Sequence, residues 1–229
     1  MPGMAQDGAF YAQQNARLVR NAEAYYRSMF HRHESSWNRR DLHMVETLQA
    51  LDTYLARDGR PPRIVVWAHN SHLGDASATE MSEHGEWNVG QLARERWGDQ
   101  VLRVGFSTYQ GTVAAASAWD APVERQRVLD GLPGSYESVF HHTGDDAFWL
   151  ALRGDAALGE LLRARRLQRA IGVIYQPRTE RISHYFHTRL PAQFDAMIHI
   201  DRTRAVWPLE HGAVWHPGEE PPETWPSGL

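Results

Sequence analysis

The chain has 229 residues, of which 23% are charged and 42% hydrophobic, and its formal net charge is −4. These values are typical of a globular protein, exclude a disordered chain and give no reason to expect nucleic acid as a partner. The chain contains no cysteine, so disulfides, thiolate nucleophiles and cysteine-based zinc sites are excluded. No apolar run approaches the roughly 20 residues that span a bilayer, and no signal peptide is visible. We therefore expect a soluble, cytoplasmic protein.

The first elements in chain order are two amphipathic helices. Apolar residues recur at spacings of three and four over residues 12–30, and again over residues 41–57. Asn38 or Asp41 is the expected N-cap of the second helix, and the Gly-Arg-Pro-Pro run at 59–62 is its stop. The next segment, residues 64–68, is continuously apolar and rich in β-branched residues, which predicts a strand covered on both faces. A helix followed by a buried strand indicates a parallel α/β sheet.

The same order of elements recurs further along the chain. Residues 88–97 and 156–166 are predicted helices, and residues 101–106, 170–175 and 196–200 are predicted strands. Residues 109–146 have weak periodicity and many Gly, Ala, Pro and His residues, so we expect loops there. We predict one α/β domain over residues 1–229, with a mostly parallel sheet, flanking helices and helical insertions. Its last residues, 208–229, form an extended, proline-rich tail.

Polar clusters follow the predicted strands. They lie at residues 69–72, 107–109, 176–184 and 201–203. Ligands bind beyond the carboxyl ends of the strands in open parallel sheets, so these clusters are expected to converge on one crevice.

His69 and His72 are the most informative of these polar residues. Two imidazoles at the end of a strand can divide two tasks, one accepting a proton from water and one holding a carbonyl oxygen. The alternatives are a satisfied, half-buried histidine beside a surface histidine, or a metal site with His184 or Asp201 as a third ligand.

Two further clusters are candidates for the site. Arg40, Asp41 and His43 lie at the start of the second helix, where a cation can stabilise an anionic transition state. Glu180 and His184 belong to a Glu-Arg-x-x-His run that can orient an imidazole. The alternatives are an ordinary helix cap with solvated arginines for the first cluster and a solvated face for the second.

The serine and nucleotide motifs that would indicate other chemistry do not occur in the sequence. There is no Gly-x-Ser-x-Gly elbow, no phosphate-binding loop of the Gly-x-x-x-x-Gly-Lys type and no Gly-x-Gly-x-x-Gly turn. Water attack assisted by histidine is the simplest ester-cleaving scheme that is left.

Several blocks of the sequence resemble the erythromycin esterase family, which includes proteins labelled as succinoglycan biosynthesis proteins. The block at residues 65–75 reads Val-Val-Trp-Ala-His-Asn-Ser-His-Leu-Gly-Asp and resembles the family signature. Further blocks occur in the same order at residues 15–17, 25–27, 36–44, 169–175, 179–186 and 193–196.

The resemblance implies an α/β fold that hydrolyses an ester by activated water, without a required cofactor or metal. In the founding members the substrate is the lactone of a macrolide antibiotic, and we expect a small-molecule ester or lactone here. The two active-site histidines of the family block correspond to His69 and His72. With them we predict Arg40, Asp41, His43, Glu180 and His184 as catalytic residues.

One family block has no counterpart in this sequence. The family's proposed general base is a histidine in an upstream Gly-Glu-x-x-His-Gly block, and no such block occurs here. We therefore expect a truncated form with little activity of its own, because a general base contributes roughly 10²–10⁴-fold. The alternatives are a non-catalytic module that binds a small molecule or carbohydrate, and a histidine-based metallohydrolase.

Overall fold

A computed structural model of the protein describes residues 2–29 and 35–206. These residues fall into two compact units, the first ending at Arg103 and the second beginning at Val104. The proline-rich tail predicted over residues 208–229 lies outside the described residues. Among the residues that are described, no helix is both long and apolar enough to cross a membrane.

The first unit is helical. Its helices are α1 (Pro2–Met29), α2 (Ser36–Leu55), α3 (Asn70–Leu73) and α4 (Val89–Trp97). Helices α1 and α2 pack as an antiparallel pair, with Phe10 stacked on Tyr54 near one end and Asn21 bonded to His43 further along. The periodicity of the sequence predicted both helices.

Helix α2 begins earlier than its sequence pattern indicates. Its N-cap is Ser35, whose hydroxyl accepts a hydrogen bond from the backbone N–H of Asn38 at 3.3 Å. The prediction of Asn38 or Asp41 as the cap is therefore wrong. Both side chains lie within the helix and are buried, and both bind backbone groups that are distant in sequence. An Asp or Asn near a helix start matches the capping pattern whichever residue is the cap.

The segment from Ile64 to Ala68 differs most from its prediction. It has no strand partner among the described residues, and the side chains of Val65 and Trp67 are 90% and 84% exposed. Ile64 and Val66, on the alternate face, are 39% and 40% exposed. The prediction of a strand buried on both faces is therefore wrong, because an apolar run shows that a segment is suited to burial but not what covers it.

The second unit contains the strands, which form three small sheets. The strands are β1 (Val104–Ser107), β2 (Gln110–Ala116), β3 (Val123–Val128), β4 (Ala147–Ala151), β5 (Arg166–Arg169), β6 (Tyr185–Thr188), β7 (Ala196–Ile200) and β8 (Arg202–Thr203). The sheet orders are β1-β7-β4, β3-β2-β8 and β5-β6. Strand pairs β1–β7 and β2–β8 are parallel, and β4–β7, β2–β3 and β5–β6 are antiparallel.

The helices of the second unit are short and lie between its strands. They are α5 (Tyr136–His141), α6 (Ala156–Leu161), α7 (Glu180–Ser183) and α8 (Leu190–Gln193). The α/β class is thus confirmed, but the sheets are mixed rather than mostly parallel, because among the described residues two of the five strand pairs are parallel and three are antiparallel. Strand β7 matches its prediction, and β1 overlaps the end of its predicted range.

Two stretches of the second unit were predicted wrongly. Residues 109–146, expected to be loops, contain β2, β3 and α5. The reason is composition, since β2 consists largely of small residues and β3 is largely charged, so neither has a strong apolar pattern. The strand expected at residues 170–175 lies earlier, as β5. Within residues 170–175 the structure has an isolated bridge between Ala116 and Ile174. Helix α6 therefore ends at Leu161, short of its predicted end.

Large apolar side chains form the core of the second unit. Tyr136, Phe140, Leu190, Phe194 and Met197 are buried together between α5, α8 and β7. The Tyr136 hydroxyl donates to the carbonyls of Leu162 and Ala164, at 3.1 and 3.0 Å, so even this polar atom is satisfied.

Candidate active site

The site in the first unit is built around a buried carboxylate and an imidazole. Oδ2 of Asp41, on α2, lies 2.9 Å from Nδ1 of His72, on α3, and the Asp41 side chain is 0% exposed. The same oxygen accepts the backbone N–H of Val89 at 3.1 Å. Because Val89 is the first residue of α4, the positive end of that helix also favours the negative charge on Asp41. A carboxylate held in this way orients the imidazole.

Trp37 and Arg40 enclose His72 on its other sides. The Trp37 and His72 rings are stacked, with centroids 4.5 Å apart and planes 5° apart. The Arg40 guanidinium lies 4.9 Å from the centre of the Trp37 ring and donates to Nε2 of His72 at 3.3 Å. Since guanidinium has no acceptor, Nε2 carries the lone pair and Nδ1 carries the proton that Asp41 accepts. This is the tautomer that a general base requires.

The Asn88 side chain holds the histidine loop, which is the segment of residues 69–74 that contains His69, α3 and Gly74. The Asn88 amide donates to the carbonyls of Ser71 and Gly74, at 2.7 and 2.6 Å. Its oxygen accepts the N–H groups of Ala76 and Gln91, at 3.3 and 3.0 Å. The Asn88 amide thus uses both of its hydrogens on the histidine loop, and its oxygen accepts one hydrogen bond from Ala76, just after that loop, and one from the first turn of α4.

A glycine allows α4 to approach this loop. A Cβ placed on Gly90 would lie 2.1 Å from the carbonyl oxygen of Leu73. No side chain other than hydrogen fits there, so the contact between α4 and the histidine loop depends on Gly90.

His69 and His43 occupy different positions from His72. His69 caps α3, with Nδ1 accepting the N–H of Ser71 at 3.2 Å, and its ring is exposed. His43 lies 2.7 Å from the Asn21 amide nitrogen, on the side of α2 that contacts α1. The first unit therefore brings together Arg40, Asp41 and His72, with His69 three residues away on the same loop, while His43 takes part in helix packing.

Glu180 lies in the second unit and is buried in a network of its own. Its Oε1 accepts Nη1 of Arg169 at 3.1 Å and the hydroxyl of Tyr175 at 2.6 Å. Burial raises the pKa of the Tyr175 hydroxyl, and the bond to Glu180 raises it further. Arg169 also donates to the carbonyls of Thr108, Tyr109 and Leu129, so Glu180 neutralises a cation that holds three loop carbonyls.

His184, the other residue predicted in this cluster, is oriented by backbone groups. Its Nε2 accepts the N–H of Gln176 at 2.9 Å, and Nδ1 lies 3.3 Å from the carbonyl oxygen of Ala170. Burial lowers the pKa of His184, which favours the neutral ring that both contacts require. These contacts connect the chain on either side of α7.

Sequence reasoning did not place Trp37 and Asn88 among the site residues. A signal for Trp37 existed, because it lies four residues before Asp41 on what proved to be one helix. Asn88 had no comparable signal, since its side chain acts on a loop 14 to 17 residues earlier in the sequence.

Within residues 2–29 and 35–206, no three His, Asp or Glu side chains lie together in a way that could hold a metal ion.

Comparison with known proteins completes the description of the site. The family model described as erythromycin esterase matches residues 2–203 of the chain. Among solved structures, the chain is similar to a Bacillus cereus protein, with 21% identity and a TM-score of 0.62, and to a succinoglycan biosynthesis protein, with 18% identity and a TM-score of 0.57. Each of these two matches covers 74% of this chain and 39% of the other chain, so the chain spans well under half the length of these structures.

Proposed function

Because the chain belongs to the erythromycin esterase family, we propose that it hydrolyses an ester or lactone with water activated by His72. The observation that carries the proposal is the pair formed by His72 and the fully buried Asp41, whose oxygen lies 2.9 Å from Nδ1. This pair leaves the lone pair of the imidazole on Nε2, where a base must have it. His72 would thus supply the base of the reaction.

The proposed reaction has two steps at the carbonyl carbon. Nε2 of His72 takes a proton from water as the water oxygen attacks, and the carbonyl oxygen becomes an anion. The tetrahedral intermediate then collapses, the alcohol oxygen leaves, and the imidazolium returns the proton to it. Asp41 stabilises the imidazolium between the two steps without itself taking the proton.

Arg40 and His69 have supporting roles in the proposal. In this structure Arg40 donates a hydrogen bond to Nε2 of His72. When substrate and water bind, the water donates to Nε2 instead, and Arg40 donates to the substrate. The freed guanidinium then faces the developing oxyanion, the position in which a cation contributes most to catalysis. His69 is exposed on the same loop, and in the proposal it contacts the alcohol part of the substrate.

The substrate class follows from the family. We propose a small-molecule ester or lactone, with macrolactones as the first candidates, because the family model that matches the chain is described as erythromycin esterase. A chain without cysteine suits the reducing cytoplasm, which we propose as its location.

The test is hydrolysis of a panel of macrolactones and alkyl esters by the wild-type chain, His72→Gln and Asp41→Asn. We expect both substitutions to lower kcat by roughly 10²–10⁴-fold with a smaller effect on KM. His84→Gln is the matched control, because His84 is exposed and lies outside the site, and it should retain wild-type rates.

Two outcomes would contradict the proposal. Turnover that persists in His72→Gln would show that another group is the base. Binding of a macrolactone without turnover, weakened by His72→Gln, would establish the binding module instead. That module is favoured by one observation, which is that Arg40 occupies the lone pair of His72 in this structure.

A further inference from the structure

A second group of titratable side chains lies in the second unit, at the carboxyl ends of two parallel strands. Strands β1 and β7 are parallel neighbours, and Ser107 at the end of β1 is paired in register with His199. Asp201 follows β7 directly, and His141 is the last residue of α5. The carboxyl ends of parallel strands are the common location of ligand sites in α/β sheets. None of these residues belongs to the site formed by Asp41 and His72.

The central contact of this group is a carboxylate–imidazole pair. Oδ1 of Asp201 lies 2.7 Å from Nδ1 of His141, and the two side chains are 15% and 38% exposed. A carboxylate that accepts from Nδ1 leaves the lone pair of the ring on Nε2. No described side chain is hydrogen-bonded to that nitrogen, in contrast to His72, whose Nε2 accepts from Arg40.

The carboxylate is held on a fixed backbone. The carbonyl of Asp201 accepts the N–H groups of Tyr109 and Gln110, at 3.1 and 3.0 Å. The backbone N–H of Asp201 donates to the backbone carbonyl of Asp146 at 2.8 Å. Because three hydrogen bonds hold the backbone of Asp201, its carboxylate can orient His141 with little loss of conformational entropy in the reaction.

The buried His199 makes a weaker contact with Asp201. Its Nδ1 lies 2.8 Å from the Ser107 hydroxyl, and its Nε2 is 3.5 Å from Oδ1 of Asp201, a distance too long for a strong hydrogen bond. The His199 side chain is 0% exposed, and burial lowers the pKa of the ring while the nearby Asp201 raises it. The shorter of the two imidazole contacts of Asp201 is therefore the one with His141.

The surroundings of His141 define what it can bind. The Tyr109 ring covers one face of the imidazole, with centroids 3.7 Å apart and planes 6° apart. Because Nδ1 contacts Asp201, Nε2 is the ring nitrogen that is left for a ligand. His142 meets the same ring edge-on at 5.7 Å. A planar aromatic group would extend this stack and bring an atom attached to it close to Nε2.

We propose that Asp201 and His141 form a second proton-transfer site that hydrolyses aryl esters. Nε2 of His141 takes a proton from water, and the water oxygen attacks the carbonyl carbon. The bond between that carbon and the phenol oxygen breaks, and the phenolate receives the proton from the imidazolium. The products are the carboxylic acid and the phenol, and no cofactor is consumed.

The test uses p-nitrophenyl acetate and the full chain with His72→Gln, which disables the site proposed above. We expect hydrolysis to persist in this background and to fall at least about tenfold when His141→Gln or Asp201→Asn is added. His84→Gln is the matched control, since it removes an exposed histidine outside both proposed sites, and it should retain at least half the rate. Tyr109→Leu should raise KM for p-nitrophenyl acetate and leave KM for ethyl acetate unchanged.

The outcomes separate this proposal from the one before. Loss of p-nitrophenyl acetate hydrolysis in His72→Gln alone would overturn the second site while supporting the first. An equal fall for His141→Gln and His84→Gln would show only the background reactivity of surface imidazoles and would also overturn it. Macrolactone hydrolysis that depends on His72 but not on His141 is expected if both proposals hold. Thermal unfolding of each variant excludes loss through misfolding.

Discussion

Nε2 of His72 is hydrogen-bonded to Arg40, so in this structure the proposed base and the proposed oxyanion-stabilising cation are bonded to each other. Nε of Arg40 and Oδ1 of Asp41 are both buried, lack a hydrogen-bond partner in the described part of the chain and lie 3.9 Å apart. Buried polar atoms without partners are costly. A substrate and a water molecule that formed hydrogen bonds with these two atoms would therefore lower the free energy of the bound state.

Removing the guanidinium tests the role of Arg40 at the scale of the residue. Arg40→Met should lower kcat for ester hydrolysis by roughly 10²–10³-fold, the cost of losing a group that stabilises an oxyanion. The hydrocarbon side chain keeps the contact with Trp37, which limits the loss of packing. Steady-state kinetics separates kcat from KM, and an effect confined to KM would show that Arg40 only binds the substrate.

Two buried histidines predict how stability depends on pH. Burial lowers the pKa of His184 and of His199 below the ordinary value of 6.5. The unfolded chain therefore binds more protons than the folded chain as the pH falls below about 6.5, so the free energy of unfolding decreases with acidification. Urea unfolding between pH 7.5 and 5.5 measures this slope, and His184→Gln should reduce it. An unchanged slope in that variant would contradict the assignment to His184.

At the scale of the element, Asn88 is expected to control the loop that carries His69 and His72. Asn88→Ala leaves the carbonyls of Ser71 and Gly74 without their donor and should lower the free energy of unfolding by roughly 1–3 kcal/mol. Ester hydrolysis should fall as well, because His72 loses its support. Asp155→Ala is the control, since Asp155 is the exposed cap of α6 and its side chain accepts a hydrogen bond from the N–H of Leu158. Equal stability losses in urea unfolding would show that Asn88 acts as a cap alone.

The segment from Ile64 to Ala68 predicts self-association. The side chains of Val65 and Trp67 are 90% and 84% exposed, and neighbouring exposed apolar side chains favour association between chains. Val65→Lys should lower the association seen in sedimentation at increasing protein concentration. Ile182→Lys is the control, because Ile182 is a single apolar side chain, 87% exposed, on the short helix α7. An equal effect of both would contradict a specific role for the segment from Ile64 to Ala68.

At the scale of the whole molecule, the two units differ in their cores. Among the described residues, the buried apolar side chains of the first unit are Val45, Ala76, Ala78, Val89 and Ala93, all of them small. The second unit buries Tyr136, Phe140, Tyr175, Phe194 and Met197 among others. Because hydrophobic stabilisation scales with buried apolar area, the second unit should be the more stable.

Hydrogen exchange tests this difference. The amides of β7 and α5 should exchange more slowly than those of α2 and α4, because opening the larger core costs more free energy. Mass spectrometry of peptides from each unit gives the comparison within one sample. Equal protection of both sets would show that the units unfold as one cooperative body.

The sequence by itself determined the long helices, the central strand and the histidine block. Helices α1 and α2 are visible because their apolar residues repeat at the period of a helix, and strand β7 because it is a short apolar run; both are local properties. His69, His72, Arg40 and Asp41 were recognisable for a similar reason, since they lie in short blocks whose residue types and spacing are informative. The family resemblance rests on the same blocks, and the family model confirms it over residues 2–203.

Tertiary structure alone decided which of these residues meet. The contacts of Asp41 and Arg40 with His72, the position of His43 against α1 and the support from Asn88 join residues 14 to 32 positions apart, and no sequence pattern encodes such distances. The same holds for the hairpin of β2 and β3, whose small and charged residues carry no strand signal, and for the exposure of Val65 and Trp67. Burial depends on what packs against a segment, and that is a property of the folded chain rather than of the segment.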